Sequence, residues 1–309
     1  MILAFKTGKK QTLFTIFFAF LSIASNVSCS DDNDITTMTW YQDLDGDGLG
    51  NPNVSMVKGT QPEDYVLNNT DPDDVKIYNG DYLIDSQEKL DAAEQFMTIT
   101  GTLETRVSFR TDLRGLENLE SVGTLLISGL FLTGGAEIGR SSLETLKGLD
   151  NLTSVEERLA INKNPHLTDL EGLNKLTNVN GNFSIDGNII LTNLNGLDAL
   201  TSIGGTVYID TNKLPNLEGL NTLTSIAENF TLVGDIFGSG QADLVSLQGL
   251  DNLTSIGGVL RIQFNTQLAN YCTLNNLIIT NNGLVGDLET LFNGYNPIKQ
   301  DIVDGNCSL

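Results

Sequence analysis

The sequence predicts an all-β solenoid of parallel coils, and three observations carry that expectation. Gly-Leu pairs recur at Gly115, Gly148, Gly172, Gly196, Gly219 and Gly249, with spacings of 33, 24, 24, 23 and 30 residues. Alignment on these pairs produces apolar columns. One runs Val122, Val155, Val179, Ile203, Ile226, Ile256; a second Leu125, Leu159, Phe183, Val207, Phe230, Leu260; a third Ile127, Ile161, Ile185, Ile209, Leu232, Ile262; a fourth Leu119, Leu152, Leu176, Leu200, Leu223, Leu253. The remaining three columns are headed by Leu143, Leu146 and Leu149. Within a coil the period switches: Leu159 and Ile161 alternate as in a strand, whereas Leu167, Leu170 and Leu173 recur every third residue, as at short bent corners. One coil cannot bury seven inward positions alone, but coils stacked about 4.8 Å apart turn each column into a continuous ladder. A leucine-rich-repeat horseshoe shares the period, but the repeats contain no helical stretch for its convex side.

Residues 1–28 precede the core. Lys6, Lys9 and Lys10 form a positive region, and Leu13 to Ala24 a 12-residue apolar run, shorter than the roughly 20 residues of a membrane span. This is the pattern of a secretory signal. Cys29 follows small residues, where a lipoprotein signal peptidase would cut and a lipid would be attached. The run Cys29-Ser30-Asp31-Asp32 resembles the surface-export signal of Bacteroidota-type lipoproteins, although Asn26 stands where a lipobox usually carries Leu. The resemblance implies a surface-exposed outer-membrane lipoprotein with residues 29–39 as lipidated Cys and tether; ordinary secretion, with cleavage near Ser25 or Ser28, is the alternative.

The segment 40–79 is rich in aspartate. Asp43, Asp45 and Asp47 alternate with glycines, and hard oxygens so spaced can converge on Ca²⁺, which takes 6–8 of them. As an EF-hand, the Leu49 carbonyl and Asn51 would follow, but Val54 occupies the place of the bidentate Glu. A second cluster, Asp71, Asp73 and Asp74, stands ready to complete the shell. Trp40-Tyr41 through Asp74 is similar to the short metal-binding modules of bacterial surface proteins akin to thrombospondin type 3 repeats, with Pro72 where those often carry Cys. Calcium is the expected cofactor; an acidic linker is the alternative.

Residues 80–309 form the solenoid. Asp85 and Glu88 suggest a capping-box variant opening a helix to Phe96 that covers the first coil. Asn164, Asn188, Asn212 and Asn265, with Asp235, mark one corner of successive coils, where a buried amide can bond its own coil and the next. Thr153, Thr177, Thr201, Thr224 and Thr254 form a surface ladder, a β-favouring stack rather than an ice-binding array. Tyr271 to Leu309 breaks the repeat and is expected to cap the far end. With Cys29 assigned to lipid, Cys272 and Cys307 remain as a disulfide pair.

The repeat Asn-Leu-Thr-Ser-Ile-Gly-Gly (252–258) with Leu260, Ile262 and Asn265 resembles the receptor L-domain solenoids of bacterial surface proteins, related in fold to the L domains of insulin- and EGF-type receptors. The resemblance covers roughly residues 82–309 and implies a right-handed parallel β-helix with a binding role. It names no ligand.

Without the signal the chain carries 14 basic and 39 acidic residues, a net charge of −25, which disfavours nucleic acid as a partner. His166 is the only histidine, so histidine-based triads and zinc sites find no support. Asp169, Asp186 and Asp210 read as scattered acids without a basic partner set, which argues against a β-helix lyase or hydrolase. Relative to 24 residues, about 10 extra fall within Gly129–Ser142 and about 6 within Gly234–Asp243, both at the Asn corner. Drift explains such insertions cheaply; alternatively they wall a groove floored by Pro165, His166, Ile189, Ile190 and Lys213, with Phe131 and Phe237 reaching a ligand. The expected function is adhesion or capture of an extracellular glycan or protein by a monomer whose solenoid is presented on a calcium-stabilised stalk. A carbohydrate-active enzyme and a purely structural envelope protein are the alternatives.

Overall fold

In the computed structural model, residues 37–43, 48–70, 76–133, 136–210, 213–234 and 244–309 are described here; side chains of residues 130–139 are not. These residues form a small antiparallel sheet followed by a parallel β-solenoid of about eight turns.

Strands β1 (Met38–Gln42), β2 (Ser55–Lys58) and β3 (Tyr65–Val66) make the small sheet, in the order β2-β1-β3. The Asp-rich segment is therefore more than an acidic linker. Alternation along Met38–Gln42 turns Trp40 inward, where it is buried and its indole N–H donates to the Lys58 carbonyl at 3.1 Å. The acidic loop joins β1 to β2.

The first solenoid turn holds β4 (Ile77–Tyr78), β5 (Tyr82–Ile84) and helix α1 (Gln87–Ala93). Both strands pair in parallel with β6 (Thr98–Thr105). The helix lies within this turn, burying Leu90 and Ala93. Its N-cap is Ser86, in extended conformation, whose hydroxyl accepts from the Lys89 N–H at 3.4 Å. Asp85, one residue earlier, instead pairs with the Lys89 ammonium at 2.9 Å.

The following turns carry β7 (Ser121–Ser128), a hairpin of β8 (Leu130–Thr133) and β9 (Ala136–Arg140), and β10 (Ser154–Asn162). Each of the next four turns holds a two-residue and a longer strand: β11 (Asn178–Val179) and β12 (Asn182–Asp186), β13 (Ser202–Ile203) and β14 (Val207–Asp210), β15 (Ser225–Ile226) and β16 (Phe230–Val233), β17 (Ser255–Ile256) and β18 (Leu260–Gln263). The apolar columns are the strand register: Leu125, Leu159, Phe183, Val207, Phe230 and Leu260 pair in sequence, as do Ile127, Ile161, Ile185, Ile209, Leu232 and Ile262. All of these side chains are buried.

Three corner devices hold the turns at this spacing. The Gly-Leu glycines take a left-handed conformation, φ +117° at Gly172, and a Cβ there would stand 2.0 Å from the Leu146 carbonyl oxygen of the preceding turn. At the Asn corner, Asn188 Nδ2 donates to the Ile161 carbonyl at 2.8 Å while its Oδ1 accepts from the Asn164 N–H at 2.9 Å. On the outside, the hydroxyl and the N–H of each ladder threonine donate to one carbonyl of the previous turn; Thr201 does so to Thr177 at 3.0 and 2.8 Å. The hydroxyls thus point their protons into the ladder.

The C-terminal region departs from the expected cap. The repeat continues past Tyr271: Leu268, Tyr271, Leu274 and Leu277 keep period 3 and are buried. Strand β19 (Leu288–Leu291) pairs with β18, and Asn293 extends the ladder by accepting from the Asn265 N–H at 3.0 Å. This turn was hidden because it spans 28 residues from Asn265 to Asn293 and replaces the Gly-Leu corner with short helical turns at Cys272–Leu274 and Asn276–Thr280. The end is closed by α2 (Lys299–Val303) and the Cys272–Cys307 disulfide, Cα–Cα 4.9 Å.

Candidate functional site

The corner that follows each long strand collects the candidate binding residues. An asparagine turns inward there (Asn164 and Asn188 are fully buried), so the residues just after it must protrude. Pro165 and His166, Ile189 and Ile190, and Lys213 occupy that place in successive turns, and the Lys213 N–H donates to the Leu191 carbonyl at 3.0 Å. Ile189 and Ile190 are 44% and 39% exposed, apolar side chains on a turn that solvation alone would make polar.

Both insertions leave from this corner. The β8–β9 hairpin is closed at its base where the Ser141 N–H donates to the Gly129 carbonyl at 2.8 Å. Phe131 lies on β8. By replacing the ladder residue of its turn, the hairpin leaves the buried Asn164 Oδ1 without a partner, whereas the equivalent Asn188 oxygen is bonded. The second insertion leaves after Gly234 and returns at Leu244, whose N–H donates to Asn265 Oδ1 at 3.3 Å. Phe237, with the rest of 235–243, lies outside the described residues. Asp210, Leu214, Leu232, Gly234 and Asn265 help line a small cavity of about 30 Å³, room for water.

On the outer face of the same turns, Asp186 and Asp210 are register neighbours on β12 and β14. They are not scattered: the spacing of one repeat stacks them. The Tyr208 hydroxyl donates to Asp210 at 2.6 Å. Burial holds the Asp186 carboxyl above its ordinary value, the Asp210 charge adds to this, and the nearby Lys163 ammonium opposes it. Burial, then the bond and charge of Asp210, also push the Tyr208 phenol up. The signal available in sequence was the interval from Asp186 to Asp210, readable only once the phasing is known.

The calcium residues fall largely out of view. Asp45, Asp47, Asp71, Asp73 and Asp74 lie outside the described residues, as does Cys29. Asp43 is buried at the mouth of the acidic loop, and its Oδ2 accepts from the Gly48 N–H at 3.2 Å, with Gly48 in a left-handed conformation (φ +88°). Leu49 is exposed, and Asn51 Oδ1 accepts from the Asn53 N–H at 2.8 Å. Among the described residues no group of three or more His, Cys, Asp or Glu side chains is placed to hold a metal ion.

No family model matches the chain, and neither a curated protein nor a solved structure is significantly similar to it.

Proposed function

We propose that the chain is a non-enzymatic extracellular binding protein in which the rigid solenoid presents its Asn corner to a glycan or protein ligand. One observation carries this reading: two insertions leave the same corner of an otherwise regular stack, with exposed Ile189 and Ile190 on one of the turns between them. At about 4.8 Å per turn, insertions four turns apart stand roughly 19 Å from each other. A span of that length suits an extended chain better than a small metabolite. The repeat's likeness to receptor L domains points the same way.

The remaining parts of the reading come from the N-terminal sequence. Lipidated Cys29 would anchor the protein in the outer membrane, and calcium would bind the acidic loop through Asp43, Asp45, Asp47, Leu49 and Asn51, joined by Asp71, Asp73 and Asp74. The buried Asp43 carboxylate and the left-handed Gly48 suit a loop curled around a cation. A monomer that avoids nucleic acid fits the acidic charge.

The test is binding of the full chain to arrays of glycans and of extracellular proteins, beside a variant in which Gly129 is joined directly to Ser141. Signals present for the parent and lost for the variant support the corner; identical signals for both refute it. A second reading, a β-helix carbohydrate-active enzyme, gains support from the Asp186–Asp210 pair. It requires glycan cleavage that Asp186→Asn and Asp210→Asn each abolish.

A further inference from the structure

Beyond the second insertion the same corner carries an aromatic surface. Phe264 and Phe292 occupy the position just before the ladder residues Asn265 and Asn293, on adjacent turns. Their rings stack with centroids 5.0 Å apart and planes 28° apart. The stack is fixed from behind: the Phe264 N–H donates to the Leu291 carbonyl at 3.0 Å, and Asn265 is tied to Asn293. Phe264 covers one face of Phe292, so the 58% exposure of Phe292 lies on its other face and rim, next to Leu291 at 46%.

Nothing in the corner's construction calls for phenylalanine here. Both residues adopt left-handed backbone conformations, φ +61° and +57°, which L side chains rarely take. Gly187 takes the same conformation at the equivalent corner, and Lys163 does so with a side chain turned to solvent. A partly buried ring on Phe264 carrying an exposed ring on Phe292, both at an unfavourable backbone position, is therefore an expense in both conformation and solvation, of the kind found where a side chain serves a ligand.

We infer that Phe264 and Phe292 form a stacking shelf for the face of a neutral hexopyranose within an oligosaccharide. An open phenyl face presents negative quadrupole density, to which the C–H groups on one face of a pyranose ring are complementary. Outward side chains on the strands that lead into the two phenylalanines supply hydrogen-bonding groups for the hydroxyls: Gln263 on β18, and the Arg261–Glu289 pair, bonded at 2.7 Å across β18 and β19. The chain's net charge of −22 sets the charge class of the sugar, because uronate or sulfate groups would be repelled. This inference rests on the reading of the chain as a binding protein and adds a ligand class and a second contact surface.

The experiment is calorimetric titration of the full chain with cellohexaose, laminarihexaose and mannohexaose, with hexagalacturonate as the anionic control. At least one neutral hexasaccharide should bind, the control should not, and Phe292→Ala should weaken binding at least tenfold. The decisive variant is Phe264→Gly with Phe292→Gly. Glycine suits the left-handed backbone, so the unfolding midpoint should hold or rise while sugar binding is lost. Four results would overturn the shelf: no neutral sugar bound, binding unchanged in the variants, a clear drop in stability of the double glycine variant, or a dimer of the parent that Phe292→Ala dissociates, which would make a second copy the occupant. Sugar binding that survives the phenylalanine variants but disappears on removal of the β8–β9 hairpin would sink the shelf and leave the corner reading standing.

Discussion

The solenoid and the small N-terminal sheet are both β structures, yet they are held together on different principles. The solenoid core is continuous from Ile84 to Cys307, and every turn is tied to the next by apolar columns, with an inner asparagine ladder and an outer threonine ladder over much of its length. The small sheet has three short strands and, among the described residues, one large buried side chain, Trp40; Val57 on β2 is 63% exposed. Three strands are near the minimum for an independent sheet. Repetition lets one marginal unit borrow stability from its neighbours, whereas a segment that occurs once needs a partner of another kind. A cation in the acidic loop is the proposed partner.

The largest effect that would break this contrast comes from the core. Ile185 is fully buried in the middle of its column. Ile185→Asp places an unpaired carboxylate there, which costs several kcal/mol or forces the group to stay protonated. Urea unfolding should show a much earlier transition for the solenoid, and Leu194→Asp should behave alike. If both variants unfold like the parent, stability does not reside in the columns. The asparagine ladder comes next. Asn188→Ala removes a donor to Ile161 and an acceptor for Asn164, stranding two buried backbone groups at about 1–3 kcal/mol each at most. An unchanged midpoint would reduce the ladder to a passenger of the columns.

These two experiments address what was legible in sequence. The columns could be phased because six Gly-Leu pairs repeat the same message, so an error at one coil is corrected by the others. Where a signal occurs once, reading failed or shifted. The helix cap fell on Ser86 rather than Asp85 because both residues favour caps, and which one turns extended is decided by packing. The strands of the acidic segment escape notice because its aspartates outweigh the short alternation around Trp40. The last turn was lost with its Gly-Leu corner. The Asp186–Asp210 pair and the Phe264–Phe292 stack were invisible for a different reason: proximity in a solenoid runs across turns, so neighbours in space are a full repeat apart in sequence.

The small sheet gives the third test, with an effect confined to one region. Calcium added to the full chain should slow proteolysis within 40–79 and leave the solenoid's unfolding midpoint unchanged; Asp45→Ala with Asp47→Ala should remove the protection. Equal cleavage in calcium and in chelator would mean that the sheet stands without a cation. Protection accompanied by a rise in the solenoid's midpoint would mean that the two regions are coupled and that the contrast between them is too sharp.

The smallest effect concerns the outer face of the solenoid, where charge rather than packing is at stake. Burial raises the Asp186 carboxyl, Asp210 reinforces the shift and Lys163 opposes it. The native state therefore keeps this proton to higher pH than the unfolded chain, in which an aspartate titrates near about 3.9. Stability from this group is fully present below that value and is lost as pH rises through the raised native value. Asp186→Asn removes the titration and keeps the shape. At pH 7 the variant should be as stable as the parent or slightly more so; because the group is half exposed, solvent screening limits the gain to about 0.5 kcal/mol. At pH 3 the parent carboxyl is protonated and the two proteins should coincide. Thermal unfolding at both pH values checks the sign. A variant less stable at pH 7 would show that Lys163 outweighs both burial and Asp210, and that the outer face, like the core, is held by interactions between turns.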